Sequence, residues 1–189
     1  MKIMLNMMKK KKSGVSPDIL PLFEDIIIQH SGTDCDNYFM QAMGEYLPQN
    51  QRYTLWEMHG GCQGTGQDKI RKAFALQHVG KPLRTRFERY ITAFIGDFTG
   101  KTCDITLNED DNTITVTFAC EDCYKHTVSG KYTAPLSLYY ESCAGGRMYG
   151  LEKALGIKLK IKSMKIPESD ISKENPCVYI YDIVSDAKL

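Results

Sequence analysis

Apolar positions recur at helical spacing through the first half of the chain and alternate through much of the second. Ile19, Leu20, Leu22, Phe23, Ile26 and Ile27 share one face of a predicted helix, opened by Ser16 and Pro17 as N-cap and first helical residue. Ser31-Gly32-Thr33 stops it and caps a second helix, where Tyr38, Phe39, Met43, Tyr46 and Leu47 fall three and four apart before Pro48. Residues 53–59 predict a short helix bearing Trp56, which runs into a glycine-rich turn over 60–66. A further helix from Gln67 turns Ile70, Phe74 and Val79 inward and ends at Gly80. After Pro82, Leu83, Phe87, Tyr90, Ile91, Phe94 and Ile95 make one stripe, with Arg84, Arg86 and Arg89 off it.

The period changes near Gly100. Cys103, Ile105 and Leu107 alternate with Asp104 and Thr106, and after the acidic turn 109–112 Ile114, Val116, Phe118 and Cys120 alternate with Thr113, Thr115 and Thr117. This predicts a hairpin with one packed and one wet face. Residues 121–135 read as a connection to a helix over 136–155, stopped by Gly156. Leu159 and Ile161 then alternate with Lys158, Lys160 and Lys162, and 177–184 is apolar on both faces, as a central strand is. The sum is a run of helices followed by β-β-α-β-β. That is an α+β fold with N-terminal helices packed on an antiparallel sheet. Residues 1–14 read as a flexible basic head and 15–189 as a single α+β domain.

Composition narrows the class of partner. Of 189 residues 42% are hydrophobic and 25% charged, and the net charge of +1 gives no reason to expect nucleic acid. Lys9, Lys10, Lys11 and Lys12 are read as a solvated cluster. The longest apolar run, around Phe23 to Ile28, is broken by Glu24 and Asp25, so no segment is expected to span a bilayer. The methionine-rich head lacks the order of a signal peptide, which points to a cytoplasmic protein. Seven cysteines, an odd number, then point to reduced thiols. The oligomeric state stays open, a homodimer included.

Three constellations carry chemistry. Cys120-Glu121-Asp122-Cys123, with His126 and Cys143, offers thiolates and an imidazole suited to zinc or an iron–sulfur centre. A redox dithiol would need a helix starting right after Cys120, and residues 124–127 read as loop. The turn at 60–66 precedes a helix N-terminus but lacks the lysine of a P-loop, and there Cys62 with His59 is a candidate nucleophile–base pair. The helix over 136–155 carries Gly145, Gly146 and Gly150, each costing about 1 kcal/mol in a helix interior. Packing against the sheet is the expected compensation, with close approach of another backbone or of a ligand the alternative. If a pocket lies there, Cys143, Arg147, Met148 and Tyr149 line it together with Trp56, and Arg147 is placed to pair with a carboxylate.

The stretch from Cys143 to Glu152, the lysine-rich strand, and Asn175-Pro176-Cys177-Val178-Tyr179-Ile180 resemble the closing half of the 4-vinyl reductase domain. They also resemble the L-2-amino-thiazoline-4-carboxylate hydrolase-like proteins. The likeness covers about Leu136 to Val184. It implies a small-molecule-binding domain whose ligand lies between the helix and the sheet, with Cys143 and Cys177 at the family's cysteine positions. Members with metal or thiol chemistry carry an acid-and-cysteine pair where this chain has Lys162-Ser163-Met164-Lys165. The functions expected are therefore a binding module for a small molecule, a cysteine-dependent hydrolase using Cys143 or Cys62 with His59 or His126, or a metal-stapled regulatory protein.

Overall fold

The computed structural model describes residues 1–60, 67–94 and 102–186. Helices α1 (Lys2–Met8), α2 (Leu20–Gln29), α3 (Gly32–Tyr46), α4 (Gln49–His59), α5 (Asp68–Gln77) and α6 (Leu83–Phe94) come first. Strands β1 (Thr102–Asn108) and β2 (Thr113–Phe118) follow, then α7 (Glu121–Val128) and α8 (Leu136–Leu155), then β3 (Ile157–Lys165) and β4 (Cys177–Asp186). The class is α+β, and the change of period marks where helix gives way to sheet.

All strand pairs are antiparallel and run in the order β1-β2-β4-β3. The apolar strand β4 is central: Tyr181 faces Ile114 on one side and Ile161 on the other. Asn112 turns the first hairpin with a φ of 51° and ties it to β4 by donating from Nδ2 to the Ile183 carbonyl at 2.7 Å.

Helix α8 organises the packing. Fourteen of its 20 residues are buried, so it is apolar around most of its circumference and must be covered on two sides. The sheet covers one side, through β3 and β4, and α4 and α5 pack against it from elsewhere. The N-terminal helices thus meet the sheet largely through α8 rather than lying directly on it. The sheet side is filled by Tyr179 and Tyr181, whose hydroxyls donate to the Tyr140 and Ala144 carbonyls of α8 at 3.0 and 2.8 Å.

The edge strand β3 is capped by carboxylates. Glu152 accepts from the Leu159 N–H at 2.9 Å and Glu57 from the Ile161 N–H at 2.7 Å, which satisfies donors that an open edge would expose.

Several sequence expectations are corrected. The head is not a flexible tail: Met4, Leu5 and Met8 join the core, and the buried Ser13 hydroxyl donates to the Met8 carbonyl at 2.7 Å. Its apolar residues share one face of α1, while Lys9 to Lys12 remain exposed. The connection after β2 contains α7, so residues 124–127 are helix rather than loop. On α5 the inward face is Arg71, Phe74 and Ala75, with Ile70 and Val79 exposed. Arg86, placed off the apolar stripe, is buried and donates to the Leu155 carbonyl and to Asp186.

Candidate functional site: a sulfur- and aromatic-lined cavity beside α8

Two contacts fix α4 against the N-terminal half of α8. Arg52 grips Glu141 through paired hydrogen bonds at 2.9 and 2.8 Å, both groups largely buried. Four residues further along α4, the Trp56 carbonyl lies so near Gly145 that a Cβ there would stand 2.4 Å from it. The glycine in α8 therefore admits the backbone of α4, not the sheet and not a ligand. Closing α4 at this point places Trp56 and His59, three residues apart, on the same side, with their rings edge to face at 5.8 Å.

A second set of bonds fixes the opposite wall. The buried Asn37 side chain donates to the Lys131 carbonyl at 3.0 Å and accepts from the Thr133 N–H at 3.2 Å and the Tyr139 hydroxyl at 2.6 Å. The connection between α7 and α8 is thereby held on α3, and Tyr132 stacks on Tyr139 with ring centroids 4.3 Å apart. Burial raises the Tyr139 phenol above its ordinary pKa. Tyr140 donates its hydroxyl to the Cys120 carbonyl, which pins the end of β2 to α8.

Between these walls lies a cavity of about 360 Å³. Its sides come from Trp56 and His59 of α4, Tyr139, Ser142 and Cys143 of α8, and Cys120 at the start of α7. Asp36 and Met40 of α3 with Met1 and Met4 complete it, and Tyr132 forms the remaining edge. A wider depression of about 540 Å³ between α5 and α6, bounded by Phe74, Gln77, His78, Glu88 and Arg89, is shallower and open to solvent. It gathers none of the candidate catalytic, ligand-binding or metal residues, so the smaller, better enclosed cavity is the candidate site.

Of the sequence candidates, Cys143, His59, Trp56 and Cys120 are brought together here. Arg147, Met148 and Tyr149 are not. Met148 is in the core, Arg147 lies over the Phe118 ring at 4.9 Å, and Tyr149 donates to Asp68 at 2.6 Å. The pocket expected between α8 and the sheet is absent there among the described residues, because Tyr179 and Tyr181 fill that interface.

The metal constellation divides. His126 sits in the last turn of α7 against Tyr132, six residues and roughly 9 Å of helix from Cys120. Among the described residues no group of three histidine, cysteine or acidic side chains is placed to hold an ion. The Cys123 side chain and Cys62 lie outside the described residues. Cys120 is the N-cap of α7, so a helix does begin right after the first cysteine of the Cys-x-x-Cys sequence. Cys35, Cys120, Cys143 and Cys177 are all buried, and none forms a disulfide among the described residues.

The sequence reading missed Asp36, Met40, Tyr132, Tyr139, Ser142 and the head methionines. Met1, Met4 and Met8 at three- and four-residue spacing were the available signal for a packed helix. No described helix is long and apolar enough to cross a membrane. No family model matches the chain, and neither a curated protein nor a solved structure does.

Proposed function

We propose that this chain is a small-molecule-binding α+β domain whose site is the cavity between α1, α3, α4 and α8. One observation carries the reading: four residues chosen from sequence alone, Trp56, His59, Cys120 and Cys143, line a single cavity of about 360 Å³. That volume is within the range of sites for compact ligands, and the mix of apolar walls with a few polar groups is typical of them. The likeness of 136–184 to the closing half of the 4-vinyl reductase domain supports the same class, with the site shifted to the other side of α8. Buried cysteines with no disulfide among the described residues suit a reducing, cytoplasmic setting.

The chain has one tryptophan, and it lines the site, so Trp56 emission reports occupancy directly. Screening a fragment set of neutral, anionic and cationic compounds should yield binders that change Trp56 emission and raise Tm. Ser142→Phe, which fills the cavity, should abolish both responses. If no fragment binds, or binders act equally on the filled variant, the reading is wrong.

A second reading rests on Cys143 and His59 sharing that wall: a cysteine-dependent hydrolase with Cys143 as nucleophile and His59 as base. An activated phenyl ester should then give a burst of phenol that disappears in Cys143→Ala. Equal turnover in that variant removes this reading and leaves the binding one intact.

A further inference from the structure

One charged side chain of the cavity wall has no counterpart in the fold. Asp36 of α3 is half-buried, lines the cavity, and its side chain enters no hydrogen bond or ion pair among the described residues. Its carboxylate oxygens keep accessible surface, so a ligand can reach them. The charge bears on the same wall: after burial and the neighbouring Tyr132, Asp36 is the next cause that raises the Tyr139 phenol. A carboxylate with part of its hydration removed and no partner is stabilised by a cationic donor brought to it. No lysine or arginine is among the described lining residues to supply one. His59 and the amino group of Met1 are the lining groups able to carry positive charge, and neither pairs with Asp36. The thioethers of Met4 and Met40 give the wall a soft, adaptable surface for an apolar body.

We infer that the site takes an amine, a compact apolar molecule whose single ammonium group is received by Asp36. This rests on the binding function proposed above and narrows it. It also reverses the ligand charge that Arg147 suggested in the sequence, since Arg147 is not among the lining residues and lies over the Phe118 ring. His59 and the Met1 amino group are the groups that would draw an anion instead, and the test includes both.

Titration calorimetry on the full chain at pH 8 compares three probes of similar size: indane, 1-aminoindane as its ammonium ion, and indane-1-carboxylate. The ammonium should bind about tenfold tighter than indane, the lower end of what a hydrogen bond between charged groups is worth, and tighter than the carboxylate. In the isosteric Asp36→Asn, indane binding should persist and the ammonium's advantage should vanish. The ammonium should remain the tightest of the three in His59→Gln and in a chain acetylated at the Met1 amino group. A carboxylate that binds as tightly as the ammonium, or an ammonium advantage that survives Asp36→Asn, overturns the inference while the cavity remains a site. Binding by none of the three overturns both.

Discussion

The Arg52 guanidinium holds the Glu141 carboxylate by two parallel hydrogen bonds, Nε to Oε2 at 2.9 Å and Nη2 to Oε1 at 2.8 Å. Arg52 precedes Trp56 by one turn of α4, and Glu141 precedes Cys143 by two residues of α8, so this pair sets the two walls of the cavity against each other. A third bond, from Arg52 Nη1 to the Leu47 carbonyl at 2.8 Å, ties the guanidinium to the turn before α4. Removing Glu141 strands a nearly buried cation. Glu141→Ala should therefore lower stability by about 3 kcal/mol in urea unfolding. A loss within experimental error of zero would mean the pair is merely geometric.

Gly145 is the second point of contact. A methyl there meets the Trp56 carbonyl, which belongs to helix backbone and cannot swing aside. Overpacking of this kind costs about 3 kcal/mol, and the gain in helix propensity returns only about 1 kcal/mol. Gly145→Ala should be net destabilising and should change Trp56 emission, because α4 must retreat. A stabilised variant with unchanged emission would show that α4 and α8 are not in backbone contact.

The alternation beyond residue 102 was legible because period-2 patterning and a half-wet sheet are local properties of each strand. The bounds of α8 were legible for a similar reason, since Pro135 and Gly156 punctuate it. Other features depended on partners far away in sequence. The head read as a tail because its lysines outweigh its apolar residues locally, yet Met4 and Met8 find their burial against α2 and α4. Arg86 read as solvated because nothing nearby announces Asp186, a hundred residues on. The cavity itself was half legible. Unusual residue types marked Trp56, His59, Cys120 and Cys143, but Asp36, Tyr132 and Tyr139 join them only through the Asn37 clamp, which no pattern in the sequence reveals.

That clamp is testable. Asn37→Ala removes one donor and an acceptor that serves two groups, leaving the Lys131 carbonyl, the Thr133 N–H and the Tyr139 hydroxyl to find water. The expected loss is about 2 kcal/mol. The same variant should weaken binding at the cavity, since Tyr132 and Tyr139 lose their common anchor. Retained affinity with reduced stability would separate the clamp from the site.

Tyr179 and Tyr181 govern behaviour in alkali. Burial between sheet and α8 raises both phenols well above 10.0, with neighbouring Cys143 adding to the effect at each. The native state thus keeps protons that the unfolded chain releases above about pH 10. Their contribution is fully present below that value and is lost as pH rises, by about 1.4 kcal/mol per pH unit for each tyrosine. Tyr181→Phe, which also gives up a hydrogen bond to Ala144, should flatten this decline while lowering stability at neutral pH by about 1 kcal/mol. An unchanged alkaline slope in that variant would show that Tyr181 ionises in the folded protein.

Glu57 follows the same sign at lower pH. Burial raises its pKa above 4.5, and the Ile161 N–H it accepts from counteracts only part of that rise. The folded carboxyl therefore holds its proton more tightly than the unfolded one, so its contribution is complete below 4.5 and fades as pH climbs through the folded value. At pH 7 the charge is a net cost that a neutral isostere avoids. Glu57→Gln keeps an oxygen for Ile161 and should be at least as stable as the native chain at pH 7, its advantage shrinking steadily toward pH 4.5. Glu57→Ala should instead be less stable, because the Ile161 N–H on edge strand β3 is left without an acceptor. Equal losses for glutamine and alanine at pH 7 would show that the ionised carboxylate, not its hydrogen bond, is what the β3 edge requires.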